Sequence, residues 1–197
     1  MSVVEFIIIA FALSFEALIV MHGCALRSPL KLTKGLAESF VMAVENALLL
    51  LAGMALGNFL RFTPDGMAES GTRELLSNTD NLVYLGLLLL VALRLLFRSG
   101  KKRRQVQPYD ISKFSTAMLL GIAVGINSLL VGLALGFRMP LGENLWRAVV
   151  PLVAVMTLLG LLGTMLGRQQ REVRAARYTL IAALLILVFA LKGAFWS

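Results

Sequence analysis

The chain is short of the residues on which most soluble chemistry depends. Among 197 residues there is one cysteine, Cys24, and one histidine, His22, and the eleven acids are outnumbered by nineteen lysines and arginines. A single cysteine excludes an intramolecular disulfide. No P-loop, zinc-protease, nucleophile-elbow or CxxC pattern occurs, which argues against an ATP-driven pump and against a membrane hydrolase. The nine methionines are scattered and form no copper-type cluster. The N-terminus has no basic leader segment and carries Glu5 instead, so it does not read as a cleavable signal.

What the chain does have is apolar length. It is 58% hydrophobic, with a mean hydropathy of +0.83. The excess falls in six runs, 3–26, 37–60, 82–97, 114–137, 148–166 and 178–196. Each is close to the roughly 20 residues that cross a hydrocarbon core as a helix. None alternates with period two, so strands are excluded. The pattern predicts an all-α integral membrane protein of six transmembrane helices, a single membrane domain over 1–197, with lipid around it and no nucleic-acid partner despite the formal charge of +8. The sequence sets no oligomeric state.

The basic residues lie between the runs. Thirteen fall in loops one, three and five, including Lys31, Lys34, Lys101 to Arg104 and Arg168, against four in the alternate segments (Arg61, Arg73, Arg138 and Arg147). That bias places loops one, three and five in the cytoplasm and both termini on the extracytoplasmic side. Arg94 and Lys192, near run ends, are expected to snorkel to opposite interfaces.

The chain also resembles itself. ALSFEALIVMHGCALR (12–27) lies on AVGINSLLVGLALGFR (123–138) at an offset of 111, pairing Glu16 with Asn127 and Arg27 with Arg138. AGMALGNFLR (52–61) lies on LGTMLGRQQR (162–171) at an offset of 110, pairing Gly53 with Gly163 and Gly57 with Gly167. VALR (91–94) lies on FALK (189–192). This predicts two three-helix repeats, 1–98 and 114–197, joined by a basic cytoplasmic linker, 99–113. Three is odd, so the repeats insert in opposite directions, the plan of many secondary transporters with sites near the midplane. Glu16 and Asn127 are then symmetry equivalents near the middle of spans one and four, expected to face a shared cavity rather than lipid. Gly121, Gly125, Gly132 and Gly136 lie on the far side of span four from Asn127 and predict a close helix-packing seam. Span two adds Glu45 and Asn46. Carboxylate and amide oxygens from Glu16, Glu45, Asn46 and Asn127 suit a hard divalent ion, and the acids could instead carry protons or simply tie helices together. His22, about 120° around the helix from Glu16, does not share its face.

FALSFEALIV followed by HGCALR, AVENALLLLAGMALGNFL, LLLLVALRLL, GINSLLVGLALGF and LGTMLGR resemble, in order, the first five spans of the MntP manganese-exporter family, a branch of the LysE-like transporters. The resemblance covers nearly the whole chain. It implies a small secondary exporter of the inner membrane, not an enzyme, with Mn²⁺ as cargo and no cofactor, working by alternating access with protons as a plausible counter-ion. It places Glu16, Glu45 and Asn127 at the central site, with Asn46 and Ser14 as lesser members. Where the family usually has aspartate in the first and fourth spans, this chain has Glu16 and Asn127. An acid that tends to follow the family's third-span basic residue is here replaced by Phe97 and Arg98. Two other functions fit the residues: export of a small organic solute such as an amino acid, and a membrane scaffold with no transport role. The charge bias generates a direct check. Alkaline phosphatase fused after the last residue should be active and a fluorescent protein fused there dark, whereas fusions within 101–113 should give the opposite pair.

Overall fold

The structure is a computed structural model, and it describes residues 3–27, 31–61, 71–100, 114–139, 141–169 and 175–195. These are six helices and their immediate ends: α1 (Val3–Arg27), α2 (Leu32–Leu60), α3 (Gly71–Gly100), α4 (Phe114–Arg138), α5 (Leu141–Arg168) and α6 (Ala175–Phe195). Each apolar run has become one helix. Helices of 21 to 30 residues reach about 31–45 Å. Five of them, α1 to α5, are long and apolar enough to cross a membrane. Among the described residues there is no strand. The basic segment 101–113, and with it most of the predicted linker, lies outside the described residues, as do Arg171 and Arg174.

Helices α3 and α5 begin before their hydropathic runs, at Gly71 and Leu141. Hydropathy marks where a helix meets lipid, whereas its hydrogen bonds continue into polar turns at either end. Pro151 lies inside α5. Its ring removes one backbone donor and frees the carbonyl four residues earlier, a defect that membrane helices tolerate when neighbours compensate.

The side chains sort as lipid immersion requires. Leu48, Phe59, Leu119, Leu158 and Val188 point outward, Phe59 with 85% of its surface exposed. The interior holds small and polar groups beside apolar ones: Ala10, Ala17, Ala43 and Ala134, with Ser14, Ser39, Asn46, Asn127 and Thr164. Without a strong hydrophobic drive between helices in lipid, association depends on close packing and interhelical polar bonds, and small residues permit both.

Packing does not follow chain order. Helix α1 packs chiefly on α5 and then on α6, and touches α2 only slightly. Helix α4 packs chiefly on α2 and then on α3. Helices α2 and α5 pack on each other, as do α3 and α6. Exchanging α1 with α4, α2 with α5 and α3 with α6 returns the same major contacts, while the slight α1–α2 contact has no comparable counterpart between α4 and α5.

The glycines show how closely this exchange holds. A Cβ at Gly53 would fall on the backbone carbonyl of Leu129, and one at Gly163 on that of Leu18. Gly57 meets the Leu133 carbonyl, and Gly167 the His22 carbonyl. Leu129 lies 111 positions beyond Leu18 and Leu133 the same distance beyond His22, so the two glycine pairs sit in the register of the sequence repeat. The predicted seam on α4 is also present: Gly132 abuts the Leu50 carbonyl and Gly136 that of Met54. At these positions backbone lies on backbone, and any side chain must push the helices apart. Gly86 on α3 has open space around it. Gly53→Val should therefore lower the unfolding temperature of detergent-solubilised protein, with an overpacking cost of about 1–3 kcal/mol, while Gly86→Val should leave it nearly unchanged. Fluorescence-detected size exclusion after a heat step measures both.

Candidate functional site

Glu16 stands in the middle of α1 with only 6% of its surface exposed. It does not face lipid. Across from it, the Nδ2 of Asn127 on α4 donates a hydrogen bond of 2.9 Å to Glu16 Oε1. The two repeat-equivalent positions thus touch, at a point where α1 and α4 otherwise scarcely meet. The expectation of a chamber between them is corrected: they are in direct contact. A small apolar cavity lies further toward the N-terminal end of α1, and neither residue of the pair lines it. It is lined by Phe6, Ala10 and Leu13 of α1 with Leu50, Leu135 and Leu152 of the neighbouring helices. The buried Oδ1 of Asn127 accepts no hydrogen bond.

The next residue on α4 turns about 100° away and serves a second bond. Ser128 Oγ donates to Asn46 Oδ1 of α2 at 2.8 Å. Asn46 Nδ2 donates to the Met42 carbonyl at 2.9 Å and, more weakly, to the Gly121 carbonyl at 3.5 Å. Asn46 is fully buried and both ends of its amide are engaged. Glu45 lies beside it, half-buried, its carboxylate packed where a Cβ of Gly121 would be. Gly121 and Gly125 therefore do more than pack. Their missing side chains make the room in which Glu45 and Asn46 lie against α4.

Ser14 makes a bond within its own helix. Its hydroxyl is fully buried and donates back to the Ala10 carbonyl at 2.6 Å, one turn earlier on its own helix. The predicted site residues accordingly divide. Glu16 and Asn127 form one bond, Asn46 adjoins them through Ser128, Glu45 flanks Asn46, and Ser14 is committed to its own backbone. Among the described residues no three of His, Cys, Asp and Glu converge as a metal-holding group. A cation here would draw on amide and carbonyl oxygens beside a carboxylate, which is the donor set of hard divalent ions.

Four further features escaped the sequence. Ser128 is an ordinary serine by type, and only its place after Asn127 in a helix facing α2 marks it. Lys192 does more than snorkel: its Nζ lies 2.6 Å from Glu5 Oε1, an ion pair between α6 and α1. At the other helix ends Arg61 of α2 approaches Asp80 of α3 at 3.9 Å, and the Arg138 guanidinium of α4 sits 4.9 Å over the Tyr84 ring of α3. Asp80 is buried just before the apolar run of α3 and Tyr84 just inside it.

A bundle of lipid-facing helices with a carboxylate–amide pair buried at its centre defines a multi-pass α-helical membrane protein built around an intramembrane polar site. The chain belongs to the MntP family: the model of that family, described as "putative manganese efflux pump", matches residues 30–193. Its place is thus the membrane, as a multi-pass protein of a transport family, consistent with the inner membrane. No curated protein and no solved structure matches it.

The Asn46–Ser128 bond generates a prediction separable from transport. Ser128→Ala should cost about 0.5–1.5 kcal/mol, the usual worth of an interhelical hydrogen bond in a membrane, and Asn46→Ala should cost no less because it strips the same bond. In the double variant the losses should fall short of the sum, as read by reversible unfolding in mixed micelles.

Proposed function

We propose that the chain exports a divalent cation, Mn²⁺ foremost, by alternating access, with Glu16 and Asn127 as the central ligands and Glu45 and Asn46 beside them. The observation that carries this reading is the direct contact of Glu16 with Asn127. An acid near the bilayer centre costs about 2.5–3.5 kcal/mol on insertion scales, and such an acid facing the interior of a bundle is a functional group by default, here one that a cation and a proton would occupy in turn. In the state described, the amide N–H₂ of Asn127 fills one lone pair of Glu16. Turning that amide by 180° presents Oδ1 instead, so carboxylate and amide oxygens could grip one ion.

The matched glycine contacts at the repeat offset support two halves inserted in opposite senses, each offering one polar residue at the midplane. Glu45 has no charged counterpart in the second repeat, since Val155 stands there. In this reading Glu45 lies in the cytoplasmic half, by the charge of the loops, where it would receive outgoing cations. Protons returning on Glu16 would complete the exchange.

An organic cation is the alternative cargo, with its ammonium on the Glu16 carboxylate; the small apolar cavity on the N-terminal side has room for no more than about one water and does not support it. Inverted membrane vesicles separate these functions. Mn²⁺ accumulation should be saturable in wild type and fall at least about tenfold in Glu16→Gln, equivalent to about 1.4 kcal/mol of lost ion binding. Uptake of amino acids with no metal flux would select the organic reading. Glu16→Gln with undiminished function would favour a helix-tying scaffold.

A further inference from the structure

The interhelical side-chain contacts sort into two groups. Glu5–Lys192 and the tilted ring pair Phe15–Tyr178 join α1 to α6. The glycine seam of Gly163 and Gly167 joins α1 to α5. Asn46–Ser128 and the glycines 53, 57, 132 and 136 join α2 to α4. Arg61–Asp80 joins α2 to α3, and Arg138 over Tyr84 joins α4 to α3. By these polar, aromatic and glycine contacts α1, α5 and α6 form one unit and α2, α3 and α4 another, the two packing on each other along α2–α5 and α3–α6. Each unit takes helices from both halves of the sequence.

The surface between the units has a different chemistry. Where α2 meets α5, Ser39 packs on Gly160 and Thr164 on Gly35. Both hydroxyls are spent on their own helices: Ser39 Oγ donates to the Gly35 carbonyl at 2.7 Å and Thr164 Oγ1 to the Gly160 carbonyl at 3.1 Å. Small residues meet there with their polar groups already satisfied, so sliding α2 along α5 breaks neither of these bonds. Such a surface suits shear between packed helices. Asn127 to Glu16 is a hydrogen bond that crosses from one unit to the other at their centre, and α3 packs on α6 across the same division.

We propose that the bodies that move during transport are these two exchanged units, not the two sequence repeats, and that the Glu16–Asn127 bond is the catch between them. This rests on the reading of the chain as an alternating-access transporter. A cation that takes Glu16 Oε1 must displace the Asn127 N–H₂, so cargo binding and release of the catch are one event. The backbone-on-backbone seams within each unit cannot open without losing their packing, while the α2–α5 surface shears.

Distances between spin labels test this without any cargo. In the full chain with Cys24→Ala, reconstituted in lipid, label pairs would be placed at Leu26 and Arg168 (α1 and α5), Lys34 and Met118 (α2 and α4), and Met118 and Arg168 (α4 and α5), all exposed positions. Each pair would be measured by double electron–electron resonance with the catch intact and with it broken by Glu16→Ala. Asn127→Ala breaks the same bond from the other side should the first variant not fold. The first two distances should stay fixed. The third, within one repeat but between units, should shift or broaden by several ångströms. Movement in either of the first two pairs, or no movement in the third, overturns the proposal. Absence of Mn²⁺ flux in vesicles would remove the cargo reading and leave this measurement standing.

Discussion

A carboxylate held by an amide in the middle of a lipid-facing bundle is the constraint around which the rest is arranged. Glu16 is affordable at that depth because Asn127 meets it, and Asn127 can meet it because α1 and α4 are each drawn to the centre by another helix. Helix α5 holds α1 through Gly163 and Gly167, and α2 holds α4 through Gly53 and Gly57. Replace those glycines by larger residues and the outer helices recede, carrying the two polar groups away from each other. The chemistry of the centre thus depends on atoms missing several residues away.

The interior contrasts with that of a soluble protein of similar length. Its small residues bring backbones together, and its polar residues either bond across helices, as Asn46 and Ser128 do, or fold back on their own carbonyls, as Ser14, Ser39 and Thr164 do. Back-bonded hydroxyls satisfy themselves at no cost to neighbouring helices and leave the surface between α2 and α5 without polar ties. Bonds at the helix ends, such as Glu5–Lys192, work in the opposite sense and pin particular helices together where charge is cheap.

Much of this was legible in the sequence because hydrophobic length is a one-dimensional property. The six apolar runs became six helices, and the offset of 110 to 111 paired Gly53 with Gly163 and Gly57 with Gly167, though not the carbonyls on which they lie. Glu16 and Asn127 could be paired because the offset linked them. Helix neighbours were harder to read. Nothing along the chain says that Lys192 meets Glu5, 187 positions away, or that Arg138 covers Tyr84, since those contacts depend on which helix lies beside which. The same ignorance produced the expected chamber. Symmetry places two polar groups near an axis, and packing decides whether water or a hydrogen bond lies between them. Ser14 was carried in by its nearness to Glu16 along the chain, but two positions in a helix turn a side chain about 200° away.

Because α1 finds its main partner in α5 and α4 finds its own in α2, the nascent protein has an awkward childhood. When the first three helices have left the ribosome, α1 still lacks the surface it was shaped for, and Glu16 sits in the bilayer with no amide to receive it. Gly163 and Gly167 are each synthesised 145 residues after the carbonyls of Leu18 and His22 on which they pack. The first helix of the chain therefore waits for the fifth before its most extensive contact can form.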